Sequence, residues 1–257
     1  MWHKKVFFLI CILCAPLSAD IVEMPHMEEL LEHVADDTLV IFDIDNTIVI
    51  PAQTLGNDHW FWPHLLRHQE EGLSADAALE TTLVEWEAVQ NITAVTLVEE
   101  GIDEIVAGLQ KRGLAVMGLT TRAHRLELAT KKQLDTLGVD LTATAPSTAI
   151  FFFDLERPVM YSHGVLFTNN THKGKALFTL LDKIGYTPRH VVFINDKKND
   201  LLMVEESCEA NGIPFIGMRY GFTDERAYNV DMDVADIQFE RFISIISDEK
   251  ALNLVAE

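Results

Sequence analysis

Three short, unbroken apolar runs constrain this chain more than any other feature. Thr38-Leu39-Val40-Ile41-Phe42, Leu114-Ala115-Val116-Met117-Gly118-Leu119 and Val191-Val192-Phe193-Ile194 are rich in β-branched or large apolar side chains. Runs of this length without polar alternation predict strands buried on both faces, as in a parallel sheet. Helical periodicity fills the intervals. Gly101 to Arg112, Arg125 to Leu137 (closed by Gly138), Lys173 to Ile184, about Asn199 to Ala210 and about Val234 to Ile246 read as helices, with a further strand at Pro214 to Gly217. Such alternation predicts an α/β fold: a doubly wound parallel sheet covered on both faces. Ile150 to Phe153 and Val159 to Thr168, separated by turn-forming residues, predict a hairpin. Before the first strand, Met24, Met27, Leu30, Leu31 and Val34 follow helical spacing and predict a helix over about 24–35.

Residues 51–98 interrupt the alternation. Pro51 to Asn57 is turn-like, and Asp58 to His68, Ala75 to Val89 and a segment from about Thr93 predict three helices. The stretch exceeds an ordinary crossover. It reads as a helical cap, 51–98, inserted into a core of residues 20–50 and 99–257. Residues 1–19 have the composition of a signal peptide: Lys4 and Lys5, then apolar Val6 to Leu17, then Ser18-Ala19. The apolar run is shorter than the roughly 20 residues that span a bilayer. Cleavage before Asp20 would give an exported protein, periplasmic or secreted, with no stable membrane insertion. Cys208 would then be the sole thiol, which excludes an internal disulfide. Its helical setting predicts a small buried apolar residue.

The chain has 40 acidic and 20 basic side chains, a formal net charge of -20. That field disfavours nucleic-acid binding. An anionic substrate would need cations placed locally. The first buried strand runs into Asp43 and Asp45, the second into Thr120-Thr121-Arg122, and the third into Asp196, with Asn199 and Asp200 behind it. His172-Lys173-Gly174-Lys175 precedes the third. In a parallel sheet these ends converge at the edge where open α/β sheets bind ligands. Clustered carboxylates are hard oxygen donors suited to Mg²⁺, which would offset the charge of both carboxylates and phosphate. One aspartate could attack phosphorus, while a carboxyl two residues away acts as acid and then base.

These residues resemble the haloacid dehalogenase-like (HAD) phosphohydrolase superfamily. Phe42-Asp43-Ile44-Asp45-Asn46-Thr47 is similar to its first motif, Asp-x-Asp-x-Thr, and Leu119-Thr120-Thr121-Arg122 to its second. Lys173-Gly174 before a helix is similar to the third, and Asn195-Asp196-Lys197-Lys198-Asn199-Asp200 to the fourth, with Asn195 standing where a glycine is usual. The four motifs run in order through residues 38 to about 205, and the overall plan resembles a group of exported bacterial HAD-like proteins. The resemblance implies an Mg²⁺-dependent phosphatase acting through an aspartyl phosphate. Asp43 would be nucleophile and metal ligand. Asp45 would be acid/base, giving its backbone carbonyl to the metal. Thr120 and Thr121 would bind phosphate, Lys173 would bridge nucleophile and phosphate with Lys175 as competitor, Asp196 would ligate the metal, and Asn199 and Asp200 would support it. Dehalogenases of the superfamily lack the second aspartate and transport ATPases replace it with threonine, so Asp45 favours phosphate-ester hydrolysis or a phosphomutase. The substrate would be a small phosphorylated molecule or a phosphopeptide. The alternative from another class is a catalytically silent binding or effector protein on the same scaffold.

Other features read more plainly. His64 and His68 have the spacing of helical metal ligands, but no third ligand is evident in the sequence, which favours a packed or solvated face. Trp60, Phe61 and Trp62 are expected mainly in helix packing, with a pocket wall as the other reading. The Gly-x-Ser-x-Gly motif and the dinucleotide fingerprint are absent.

Overall fold

The structure is a computed structural model and describes residues 19–227 and 230–243. The segment expected to be a signal peptide, apart from Ala19, and the end of the last expected helix lie outside the described residues. In chain order the strands are β1 (Ala19–Met24), β2 (Thr38–Phe42), β3 (Val49–Pro51), β4 (Val95–Leu97), β5 (Ala115–Thr120), β6 (Phe151–Asp154), β7 (Pro158–Ser162), β8 (Val165–Phe167), β9 (His190–Asn195) and β10 (Phe215–Tyr220). The helices are α1 (Asp58–Glu70), α2 (Ala75–Ile92), α3 (Ile102–Lys111), α4 (Glu127–Thr136), α5 (Lys173–Ile184), α6 (Lys198–Ala210), α7 (Asp224–Ala227) and α8 (Met232–Ile243).

Eight strands form one sheet in the order β1-β10-β9-β2-β5-β8-β7-β6. Pairing is parallel from β1 to β8, and the hairpin strands β7 and β6 add antiparallel pairs at the edge. The alternation of side chains along a strand divides the core in two. On one face Val40 and Phe42 pack with Met27, Leu30, Val106 and Leu109. On the other, Leu39 and Ile41 pack with Leu177, Leu180, Leu201 and Cys208. Both faces are covered, which is why the central strands carry no polar alternation.

Three expectations are corrected. The helix at about 24–35 is instead β1 followed by a 3₁₀ helix over Met27–Glu32. Pro25 disfavours a helical conformation at Met24 and so ends the strand there. The helix expected from Thr93 is absent. Thr93 caps α2 in an extended conformation, with its hydroxyl donating to the Val89 carbonyl, and Val95-Thr96-Leu97 forms β4 against β3. The run from Val159 to Thr168 is two strands, turned at His163 (φ 49°) and Gly164 (φ 74°). Gly164 is required there twice over. Its φ is left-handed, and a Cβ would stand 2.0 Å from the Leu141 carbonyl oxygen.

The β3-β4 ribbon brackets the helical segment at its entry and exit. α1 is capped by Asn57 and α2 by Ser74, each accepting a backbone N–H of the first turn. Leu55, Trp60 and Val89 make a separate apolar cluster with Ala235 and Phe239 of α8. The C-terminal helix thus packs on the helical pair.

Candidate active site

β2 pairs with β9 on one side and β5 on the other, so their carboxyl ends lie side by side. Asp43 follows β2, and its N–H donates to the Ile194 carbonyl at 2.9 Å, carrying the ladder one residue past the strand. Its side chain is buried. Lys173 Nζ stands 2.9 Å from Asp43 Oδ1 and 2.8 Å from Asp200 Oδ2, with the lysine 1% exposed. The Phe193 ring lies 5.4 Å from the ammonium. Lys173 is the first residue of α5, and Gly174 fixes where that helix starts. A Cβ at 174 would meet the Met203 carbonyl oxygen at 2.1 Å and Ser207 Oγ at 2.2 Å, so only glycine lets α5 lie against α6. Lys175 is placed elsewhere, exposed, 3.9 Å from Glu156.

Asp196 follows β9. Its Oδ1 is inaccessible and has no hydrogen-bond partner. Burial pushes Asp196 up to about 8, with Lys197 pulling it down and Asp43 pushing it further. Burial likewise pushes Asp43 up to about 6; Lys173 opposes this, while Asp200 and Asp45 add to it. An orphaned carboxylate oxygen beside a second carboxylate is an arrangement that a hard divalent cation fits.

Asp45 lines the same cleft as Asp43 but is engaged by a different partner. After it, Asn46 (φ 58°) reverses the chain. Arg122 grips Asp45 with both prongs, Nε to Oδ2 and Nη2 to Oδ1, each at 2.8 Å. Arg122 is buried, and its Nη1 donates to Thr130 Oγ1 and Gln133 Oε1, both at 2.7 Å. Gln133 then donates to the Gln90 and Thr93 carbonyls at the end of α2. Thr120 is buried at the end of β5, its hydroxyl accepting the Arg122 N–H at 3.1 Å. Thr121 lines the open cleft. Asn170 (φ 60°) donates its N–H to the Thr121 carbonyl, and Asn169 (φ 50°) to that of Arg122. Asparagine tolerates this left-handed backbone. Asn199 is exposed on α6 and is not brought into the cluster.

A cleft of about 340 Å³ opens above Asp43 and Asp45. Phe61, Trp62 and Trp86 wall it on the helical side, and Arg122, Arg125, Arg157 and Lys197 line it together with the carboxylates Asp43, Asp45, Asp58 and Glu87. Trp60, by contrast, is core. Two ion pairs tie core to helices at the rim: Lys197 to Asp58 at 2.6 Å, and Arg125 to both oxygens of Glu87. Against the effect of burial, Lys197 holds the Asp58 carboxyl below its usual range. The sequence reading gave no role to these cations or to Asp58. The available signal was the scarcity of basic residues, since cations this rare are informative where they gather.

The fold and site define an α/β protein whose mostly parallel sheet presents a lysine-braced carboxylate cluster at its carboxyl edge. The chain belongs to the family described as "Protein of unknown function (DUF2608)", which it matches over residues 23–252. Among its relatives are a protein of Chlamydia trachomatis serovar D, 25% identical with 96% of each chain covered, and one of Chlamydia muridarum, 25% identical with 98% of this chain and 97% of the other covered. Both are named as candidate outer membrane proteins. Similar solved structures include a HAD-superfamily hydrolase of Geobacter sulfurreducens (13% identity, TM-score 0.42, 74% of this chain and 98% of that one). Another is a class C acid phosphatase of Bacillus anthracis (14% identity, TM-score 0.35, 86% and 85%).

Proposed function

We propose that the protein is an exported, Mg²⁺-dependent phosphatase of the HAD type, hydrolysing a phosphate monoester with Asp43 as nucleophile. The observation that carries this reading is the convergence on one sheet edge of a buried aspartate, a buried lysine bonded to it and a neighbouring orphaned carboxylate, under a cleft lined with cations. Asp43, Asp196 and the Asp45 carbonyl would hold Mg²⁺, which when bound neutralises charge on the transferring group. Asp43 attacks phosphorus as the ester P–O bond breaks, and Asp45 gives the leaving oxygen its proton. Asp45 then takes a proton from water, which attacks the aspartyl phosphate and frees phosphate and Asp43. Lys173 keeps Asp43 oriented, and Thr120 or Thr121 with the rim cations receives the phosphate oxygens. The aromatic wall suits a substrate with a flat apolar portion beside the phosphate. Export is supported by the N-terminal composition and by the relatives' names. Among the described residues no helix is long and apolar enough to cross a membrane.

One observation favours the silent-scaffold reading: both oxygens of Asp45 accept from Arg122, so neither is poised to donate. Phosphate release from an aryl phosphate with Mg²⁺ separates the two. The phosphatase reading expects turnover that Asp43→Asn lowers by about a thousand-fold or more. Equal rates for wild type and variant would end it.

A further inference from the structure

We infer that the α1-α2 pair carries a site for a divalent transition metal, Zn²⁺ by its ligand chemistry, formed by His64, His68 and Glu85. It is independent of the proposed phosphatase reaction. His64 and His68 lie one turn apart on the same face of α1. The third ligand comes from α2, beyond the reach of sequence spacing. Nε2 of each imidazole lies 2.8 Å from the same oxygen, Glu85 Oε2. The three residues' ligand atoms all fall within 4.8 Å of one another. Two imidazoles and one carboxylate, with a fourth position open, are a zinc donor set; Mg²⁺ prefers oxygen. Tetrahedral zinc separates its ligand atoms by roughly 3.3 Å, so the two 2.8 Å contacts would open slightly and the imidazole nitrogens would settle at the same spacing.

The surroundings hold the rings in place. His64 is buried, stacked on Trp60 at 4.3 Å and met edge-on by Phe239 at 4.8 Å. Burial keeps its pKa below the ordinary range, although Glu85 opposes this, and its Nδ1 is buried without a hydrogen-bond partner among the described residues. His68 has carboxylates on both sides, with Nδ1 3.6 Å from Glu71 and Nε2 against Glu85. The Glu85 oxygen thus meets two imidazole nitrogens at once, a convergence that a cation among the three atoms fits. None of the three ligands lines the cleft above Asp43, so the metal would clip α1 to α2.

The test uses the full chain, stripped with a chelator and held in millimolar Mg²⁺ so that the Asp43 cluster is saturated. Titration with Zn²⁺, and with Co²⁺ for its ligand-field spectrum, should show one tight site with imidazole ligation and a rise of several degrees in Tm. Asp43→Asn should retain it. His68→Gln and Glu85→Gln should each weaken it at least ten-fold. Absence of a tight site in the wild type overturns the inference, as does unaltered affinity in His68→Gln and Glu85→Gln.

Discussion

Asp45 is caught between two demands. The proposed reaction needs one of its oxygens to pass a proton to the substrate, yet the structure commits both to Arg122. The grip fixes the carboxylate's direction, and phosphate oxygens entering the cleft would compete for the same guanidinium. Arg122 is therefore the residue at which substrate arrival and acid/base geometry meet. Lysine at this position keeps the charge but cannot form the fork. Arg122→Lys should lower kcat about 10- to 100-fold with a smaller change in KM, read from steady-state rates on an aryl phosphate. Arg122→Ala leaves Asp45, Thr130 and Gln133 without their shared donor. It should cost about 3 kcal/mol in urea unfolding, the scale of a broken buried pair. A variant with full kcat and unchanged stability would show that the guanidinium neither orients Asp45 nor braces α2.

The start of α5 shows how an element can set a site. Lys173 reaches Asp43 because α5 begins tight against α6, and that closeness depends on a missing Cβ at Gly174. Gly174→Ala should destabilise the protein by about 3 kcal/mol through overpacking and reduce turnover as the ammonium shifts. Gly108→Ala in α3 is the matched control. Its Cβ meets nothing within 4 Å, so helix propensity alone should stabilise the chain by roughly 0.5–1 kcal/mol. Denaturant midpoints that moved the same way for both would discard the packing account. Elements of this kind, a buried strand or a helix with one apolar stripe, were legible in the sequence because burial dictates their pattern. β2, β5, β9 and α5 were read close to their observed limits for that reason. β1 and β4 were not, because the identity of each comes from its partner, β10 or β3, and not from its own periodicity. The pair His64-Glu85 was hidden for the same reason. One partner could be named, but the other arrives by tertiary packing.

The whole molecule is acidic, yet its cleft gathers four cations beside the carboxylates Asp43, Asp45, Asp58 and Glu87. A net charge of -20 repels the substrate at long range, while Arg122, Arg125, Arg157 and Lys197 converge on one cleft. The same acidity makes stability sensitive to pH and to metal. Asp43 and Asp196 have folded-state pKa values raised by burial to about 6 and about 8, above the ordinary 3.8. From about pH 4 to about pH 8 the metal-free folded chain therefore holds protons that the unfolded chain has released. Stability falls with rising pH wherever the folded state binds more protons, so in a chelator the unfolding midpoint should decline across this window. Repulsion among the remaining carboxylates slopes the same way, and a variant separates the two. Asp196→Asn removes the group with the larger shift and should flatten the decline, most clearly between pH 6 and 8. Adding Mg²⁺ to the wild type should reverse it, since a cation bound by ionised carboxylates stabilises the folded state more as pH rises. The Asn variant should gain little from Mg²⁺. Parallel pH profiles for wild type and Asp196→Asn, with the same response to Mg²⁺, would mean that the buried carboxylate pair is not where metal and proton compete.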